Sequence, residues 1–361
     1  MVEVCGTNFK NMKDKRVASL DVLRVLSMFL VVVSHYIYHG IKTRPELQEY
    51  YSLQTLGGGN FITIEALYIF SCIAVNCFVM ISGYFLIEKT NYRWKGILNV
   101  WIETLFYSVL FLFAAWYQDG YVSVTEILHH IFPIWGQQYW FVTFYFGLMF
   151  LAPLMAKMTV ALNERLYLFI LLILFVMNFQ YLYGDIFGGF SSLMWFSFLF
   201  MIGGYLKRFG CPEWLRHHKG AIFLGIWGAL TLLAMGLNLI KGGRTSLVST
   251  SYHGPVFFLS LSAFVFFAFT EFNGKWVNAV SKIAPYTFAV YLIHANGFWK
   301  GRIWEAVIPD SFHLPIIVYC LASCLFIFIA CVVIDIIRSY IFKKAKIDYL
   351  VDGLASKLPQ L

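Results

Sequence analysis

The chain has 361 residues, of which 60% are hydrophobic, 19% aromatic and only 13% charged, with a formal charge of +8. Soluble domains carry about 25% charged residues and 45–50% apolar ones, so this composition describes a polytopic membrane protein and excludes an ordinary soluble domain. The basic residues fall in short loops between apolar runs, so the positive balance is not a nucleic-acid signal.

Residues 1–16 are polar and basic, and the apolar run after them is long and lacks a small-residue cleavage site. The first run is therefore expected to be retained as a signal-anchor. Ten apolar runs follow in order: roughly 17–39, 61–87, 96–117, 139–158, 163–183, 190–206, 219–240, 254–272, 282–299 and 315–341. Each is near the ~20 residues a helix needs to cross a bilayer. Alternate loops differ in charge: with the N-terminus inside, inner segments hold 20 Lys and Arg and outer loops hold 6. The positive-inside rule then predicts an all-α polytopic protein with about ten transmembrane helices and both termini cytoplasmic. The domain reading is a cytoplasmic segment at 1–16, one ten-helix transmembrane domain at 17–341 and a basic cytoplasmic tail at 342–361, with no convincing internal repeat. One outer stretch, Thr125–Ile134, sets Glu126, His129 and His130 among apolar residues and suits an interfacial or re-entrant helix.

The first run, SLDVLRVLSMFLVVVSHY, carries Asp21, Arg24, Ser27, Ser34 and His35. Eleven steps at ~100° place Arg24 and His35 on one helical face, separated by about 16 Å along the axis, roughly half of a ~30 Å bilayer core. Asp21, three residues before Arg24, shares that face and can pair with it. A charge at membrane depth costs at least ~2.5 kcal/mol, so such residues usually line a wet or protein-filled interior. The plain alternative is a snorkelling arginine and a structural histidine.

Later spans hold fewer candidates. Glu65 and Glu103 suit interhelical ion pairs, and Ser82-Gly83 suits close helix approach or a ligand contact. Trp140 and Tyr145 read first as aromatic belt and packing, with stacking on a sugar as the functional alternative. His294 lies mid-span, and Tyr252 and His253 fall in an outer loop. Of the seven cysteines, Cys72, Cys77, Cys320, Cys324 and Cys331 sit in apolar runs and read as small hydrophobes. No metal site is expected, because His129-His130 and His217-His218 are adjacent pairs that point apart on a helix. No P-loop or dinucleotide-binding glycine motif occurs.

The stretch RVASLDVLRVLSMFLVVVSHY resembles the opening of the acyltransferase-3 family of integral-membrane acyltransferases, whose signature is Arg, ten residues, His; Arg24 and His35 fit it. FVMISGYFLIEK at 78–89, YWFVTFYFGLMFLAP at 139–153 and APYTFAVYLIH at 284–294 resemble further family segments in the right order. The resemblance implies transfer of an acyl group, usually acetyl, from cytoplasmic acyl-CoA to a hydroxyl of a surface glycan or lipid-linked glycan precursor, at a bacterial plasma membrane. It implies His35 as the catalytic residue, as general base or acyl carrier, with Arg24 holding the donor beside Asp21. Many members carry Arg-x-x-Arg after the second helix; here the region reads Tyr92-Arg93-Trp94-Lys95-Gly96. The donor contacts implied are thus Arg24, Lys89, Arg93, Lys95 and Ser82, and the acceptor contacts Trp140, Tyr145, Tyr291 and His294. A sugar hydroxyl is a poor nucleophile at neutral pH, and an imidazole of pKa ~6.5 is a suitable base for it.

Two other classes fit the same residues. A secondary transporter or flippase would use Asp21, Arg24 and His35 as an ion relay, although repeated halves and paired broken helices are not evident. A sensor that kept the acyltransferase body without its activity is the third reading.

Overall fold

The computed structural model describes residues 18–47, 58–89, 94–136, 138–179, 191–241, 254–299, 301–309 and 311–358. Among these there is no strand. Lipid offers no hydrogen bonds to the backbone, and a helix satisfies its N–H and C=O groups internally.

α1 (Ala18–His35) runs straight into a π-helical stretch, Tyr36–Lys42. α2 (Gly58–Ser71) and α3 (Ile73–Leu86) meet at Cys72, followed by α4 (Trp94–Asp119), α5 (Val124–Ile131) and α6 (Trp140–Val160). α7 (Glu164–Phe179), α8 (Ser191–Phe209), α9 (Glu213–Lys241) and α10 (Gly254–Ala268) come next. The chain ends in α11 (Lys275–Ile283), α12 (Thr287–His294), α13 (Arg302–Val307), α14 (Ile316–Lys344) and α15 (Ile347–Ala355).

Six helices among the described residues are long and apolar enough to cross a membrane: Ala18–Lys42, Gly59–Leu86, Trp94–Asp119, Trp140–Val160, Glu213–Leu237 and Ile316–Lys344. They account for six of the ten expected spans. The other four are helical over their described residues, and the runs expected at 163–183 and 190–206 extend past those residues. α7 has 16 residues, α8 has 19 and α10 has 15. The span expected at 282–299 is broken by a 3-10 turn at Ala284–Tyr286, because Pro285 has no N–H to continue the ladder.

α1 occupies the middle of the bundle, packed by α2, α3, α10, α11, α12 and α14. This explains why Leu20, Leu23, Leu30, Val32 and Val33 are buried on a helix whose other face carries polar groups. α3 and α8 touch backbone to backbone. A Cβ on Gly83 would strike the Phe200 carbonyl, and one on Gly203 would strike that of Met80, so the Ser82-Gly83 step does serve close helix approach. Buried Asn76 ties three helices together: its amide donates to Ser260 Oγ of α10 at 3.0 Å and accepts from Trp195 Nε1 of α8 at 3.0 Å.

Both expected acidic pairs are present. Lys42 Nζ lies 2.8 Å from Glu65, with Tyr68 under the ammonium at 4.0 Å, and Arg338 lies 3.7 Å from Glu103. The stretch at 125–134 forms α5, opened by a capping box in which the Ser123 N–H and hydroxyl both donate to the Glu126 carboxylate, lowering its pKa. His130 docks α5 on the Ser108 backbone of α4, and burial lowers its pKa.

Candidate active site

The polar face of α1 opens on a cavity of about 340 Å³. Ser27, Met28, Val31, Ser34 and His35 recur at intervals of three or four, and the π-helical continuation carries Tyr38 and His39 onto the same wall. Widened turns of this kind are frequent at functional sites. Tyr68, Ser71, Cys72 and Phe78 from α2 and α3, Trp140 and Phe141 from α6, and Tyr291 from α12 complete the lining.

His35 has a specific partner behind it. Its Nδ1 is 3.0 Å from Nε2 of His294, the last residue of α12, which is only 1% exposed. His294 Nδ1 in turn faces the Val290 carbonyl within hydrogen-bonding distance. A carbonyl only accepts, so His294 carries its proton on Nδ1, and in the neutral ring Nε2 is an acceptor. His35 therefore donates from Nδ1. A neutral His35 then keeps its lone pair on Nε2, on a ring that lines the cavity. That is the tautomer a base requires.

The end of α12 is pinned in place. Tyr139 OH, at the start of α6, donates to the Leu292 carbonyl at 3.0 Å and accepts from Asn296 Nδ2 at 2.7 Å. Asn296 Oδ1 accepts from the Phe298 N–H at 2.9 Å, so the buried amide is satisfied from both sides. Trp304 packs edge-on to the His294 ring at 6.3 Å. These contacts fix the partner of His35 from the start of α6, far away in sequence, and from α13, which follows α12 closely.

The predicted residues separate into groups. His35, Trp140 and Tyr291 line the cavity, with His294 directly behind. Arg24 sits one turn before Ser27, paired with Asp21 at 3.5 Å and still 30% exposed. Ser82 and Tyr145 bond to each other at 2.9 Å, with the Tyr145 ring stacked on Phe141, so both contribute to the packing next to the cavity and not to its lining. Lys95 is 2.8 Å from Asp352 of α15, and Lys89 is exposed after α3. Arg93, Tyr252 and His253 lie outside the described residues.

His39 was not among the predicted residues. Its ring centroid is 5.4 Å from that of His35, and the signal for it was present: a second imidazole four positions on, along the same helical face. Among the described residues no cluster of His, Cys, Asp and Glu could hold a metal ion. His217 and His218 each face the carbonyl four residues back, at 3.0 and 2.8 Å.

A family model described as an acyltransferase domain matches residues 17–335. Neither curated proteins nor solved structures gave a match.

Proposed function

The chain belongs to the acyltransferase-3 family of membrane acyltransferases, and from that premise we propose that it moves an acetyl group from cytoplasmic acetyl-CoA to a hydroxyl of a surface glycan or lipid-linked glycan precursor. The observation that carries this reading is His35: it lines the cavity, and His294 holds it in the tautomer that leaves Nε2 able to take a proton.

The reaction runs in one ternary complex. The acceptor hydroxyl gives its proton to His35 Nε2 as its oxygen attacks the thioester carbonyl carbon. The C–S bond breaks, and the thiolate leaves with the proton that His35 returns. Through the cycle His35 Nδ1–H stays bonded to His294, whose neutral ring orients the base without adding charge. The negatively charged phosphates of the donor remain at the cytoplasmic face near Arg24, with Lys89, Arg93 and Lys95 as further cations. Only the thin arm reaches His35, so the acyl group crosses while the cofactor does not. Trp140 and Tyr291 present aromatic faces on which the acceptor sugar stacks. With it we propose ten crossings with both termini cytoplasmic, in a bacterial plasma membrane.

The test uses protein in nanodiscs, radiolabelled acetyl-CoA and a membrane glycan extract. Wild type should incorporate label and release CoA, His35→Ala should do neither, and Arg24→Ala should bind acetyl-CoA weakly. Undiminished incorporation in His35→Ala would overturn the mechanism. A wild type that neither binds acetyl-CoA nor releases CoA, with other acyl chain lengths also tried, would favour transport.

A further inference from the structure

α14 runs out at Lys343 and Lys344. Lys346 then takes a left-handed backbone conformation, φ 56°, and α15 folds back to pack on both α4 and α14. Lys95, in the first turn of α4, holds Asp352 of α15 at 2.8 Å. Both α4 and α14 are long and apolar enough to cross a membrane, and α15 is fastened where one begins and the other ends. That holds α15 at the level of a membrane surface.

The nine residues of α15 have two unlike sides. Val351 is 1% exposed and Asp352 meets Lys95, so that side belongs to the protein. Leu350 and Leu354, one turn apart, are 61% and 48% exposed, and Leu358 continues the stripe just past the helix end. The charges divide in the same way. Lys95 balances Asp352, whereas Lys343, Lys344, Lys346 and Lys357 flank the stripe, with Asp348 the one further acid over 343–358. Lys344 Nζ lies 5.3 Å from the Tyr340 ring, and tyrosine and lysine are both typical of the membrane–water boundary. An apolar stripe edged by lysines at this level fits anionic headgroups over acyl chains. We propose that α15 lies in the plane of the bilayer at the face where α14 leaves it, with Leu350, Leu354 and Leu358 among the acyl chains and the lysines on anionic headgroups. The contact stands apart from the acyl-transfer chemistry and adds a lipid-binding surface to the protein.

Hydrogen–deuterium exchange of the α15 amides tests it, on the full chain in nanodiscs of phosphatidylcholine alone and of phosphatidylcholine with phosphatidylglycerol. Wild-type α15 should exchange more slowly on the anionic bilayer. Lys346→Gln with Lys357→Gln should shrink that difference by about fivefold per lysine, the effect of ~1 kcal/mol for each basic residue near an anionic surface, and leave exchange on the neutral bilayer unchanged. Leu350→Ser with Leu354→Ser should speed α15 exchange on both bilayers while the α14 amides stay protected, because these leucines face away from the protein. Equal wild-type exchange on the two bilayers, or a slowing that survives the serine pair, overturns the proposal. The first leaves the stripe to water, neutral lipid or a soluble partner, and the second means that headgroups hold the lysines without insertion. If the serine pair also speeds α14 exchange, that variant has lost its fold, and the lysine pair decides alone. A wild type that binds no acetyl-CoA removes the acyl-transfer reading and leaves this contact in place.

Discussion

Asp335 and His35 both sit on long helices inside the apolar bundle, yet their polar atoms face opposite surroundings. Asp335 of α14 is 0% exposed and closed in by protein donors: Tyr107 OH of α4 at 2.8 Å, and Arg338 Nε and NH2 at 2.5 and 3.2 Å. Glu103 of α4 balances the arginine from 3.7 Å. His35 has one side committed to His294, and its ring lines the cavity. The first arrangement spends its charges on joining α4 to α14. The second stands on the wall of a cavity that a ligand can enter. Ionisable residues within the apolar bundle are therefore not equivalent evidence of function: what separates these two is whether the side chain is closed in by protein or lines a cavity.

Substitutions can break or sharpen that contrast. His35→Ala should cost the most, about 10²- to 10⁴-fold in transfer, the usual worth of a positioned acid–base group, with only a small fall in melting temperature as buried His294 loses its donor. Transfer and thermal stability measured on one preparation separate the two effects. Asp335→Ala should do the reverse, lowering stability by about 3 kcal/mol because it strips half-buried Arg338 and the buried Tyr107 hydroxyl of their shared partner, while transfer per folded molecule stays within about twofold. If Asp335→Ala instead abolished transfer in a protein that melts normally, the α4–α14 cluster would belong to the mechanism.

His294→Ala should lower kcat roughly tenfold, the loss of one orienting hydrogen bond, and leave KM for acetyl-CoA in place. His294→Gln should recover part of the rate, since an amide oxygen can accept from His35 Nδ1–H; a His294→Ala enzyme with full kcat would show that His35 needs no partner. The smallest effect belongs to the exposed Lys95–Asp352 pair, where either alanine should change stability by less than about 1 kcal/mol. Lys95→Ala should nevertheless raise KM for acetyl-CoA, and Asp352→Ala, which frees the ammonium, should not. Parallel KM changes in both would mark Lys95 as a helix tether only.

Much of this was legible in the chain. Composition gave the membrane class, and helical periodicity alone put Asp21, Arg24 and His35 on one face of α1, where the structure pairs Arg24 with Asp21 and sets His35 on the cavity wall. Acidic residues near span ends found the partners expected of them, Glu65 with Lys42 and Glu103 with Arg338. Asp335 was passed over because one carboxylate in a strongly apolar run carries no pattern of its own, and His39 because it was the last residue of the expected span 17–39, which a π-helical stretch carries on to Lys42.

What sequence alone determined is what a helix repeats every 3.6 residues: which side chains share a face, and which runs cross lipid. The tertiary structure alone decided that His35 meets a histidine 259 positions later, that a proline break opens the short α12 whose last residue is that histidine, and that Ser27 is the cavity serine left without a partner. Facing is a local property, fixed by backbone geometry within a few turns. Hydrogen-bond satisfaction is a sum over every neighbour that packing brings near, and only the assembled bundle supplies that sum.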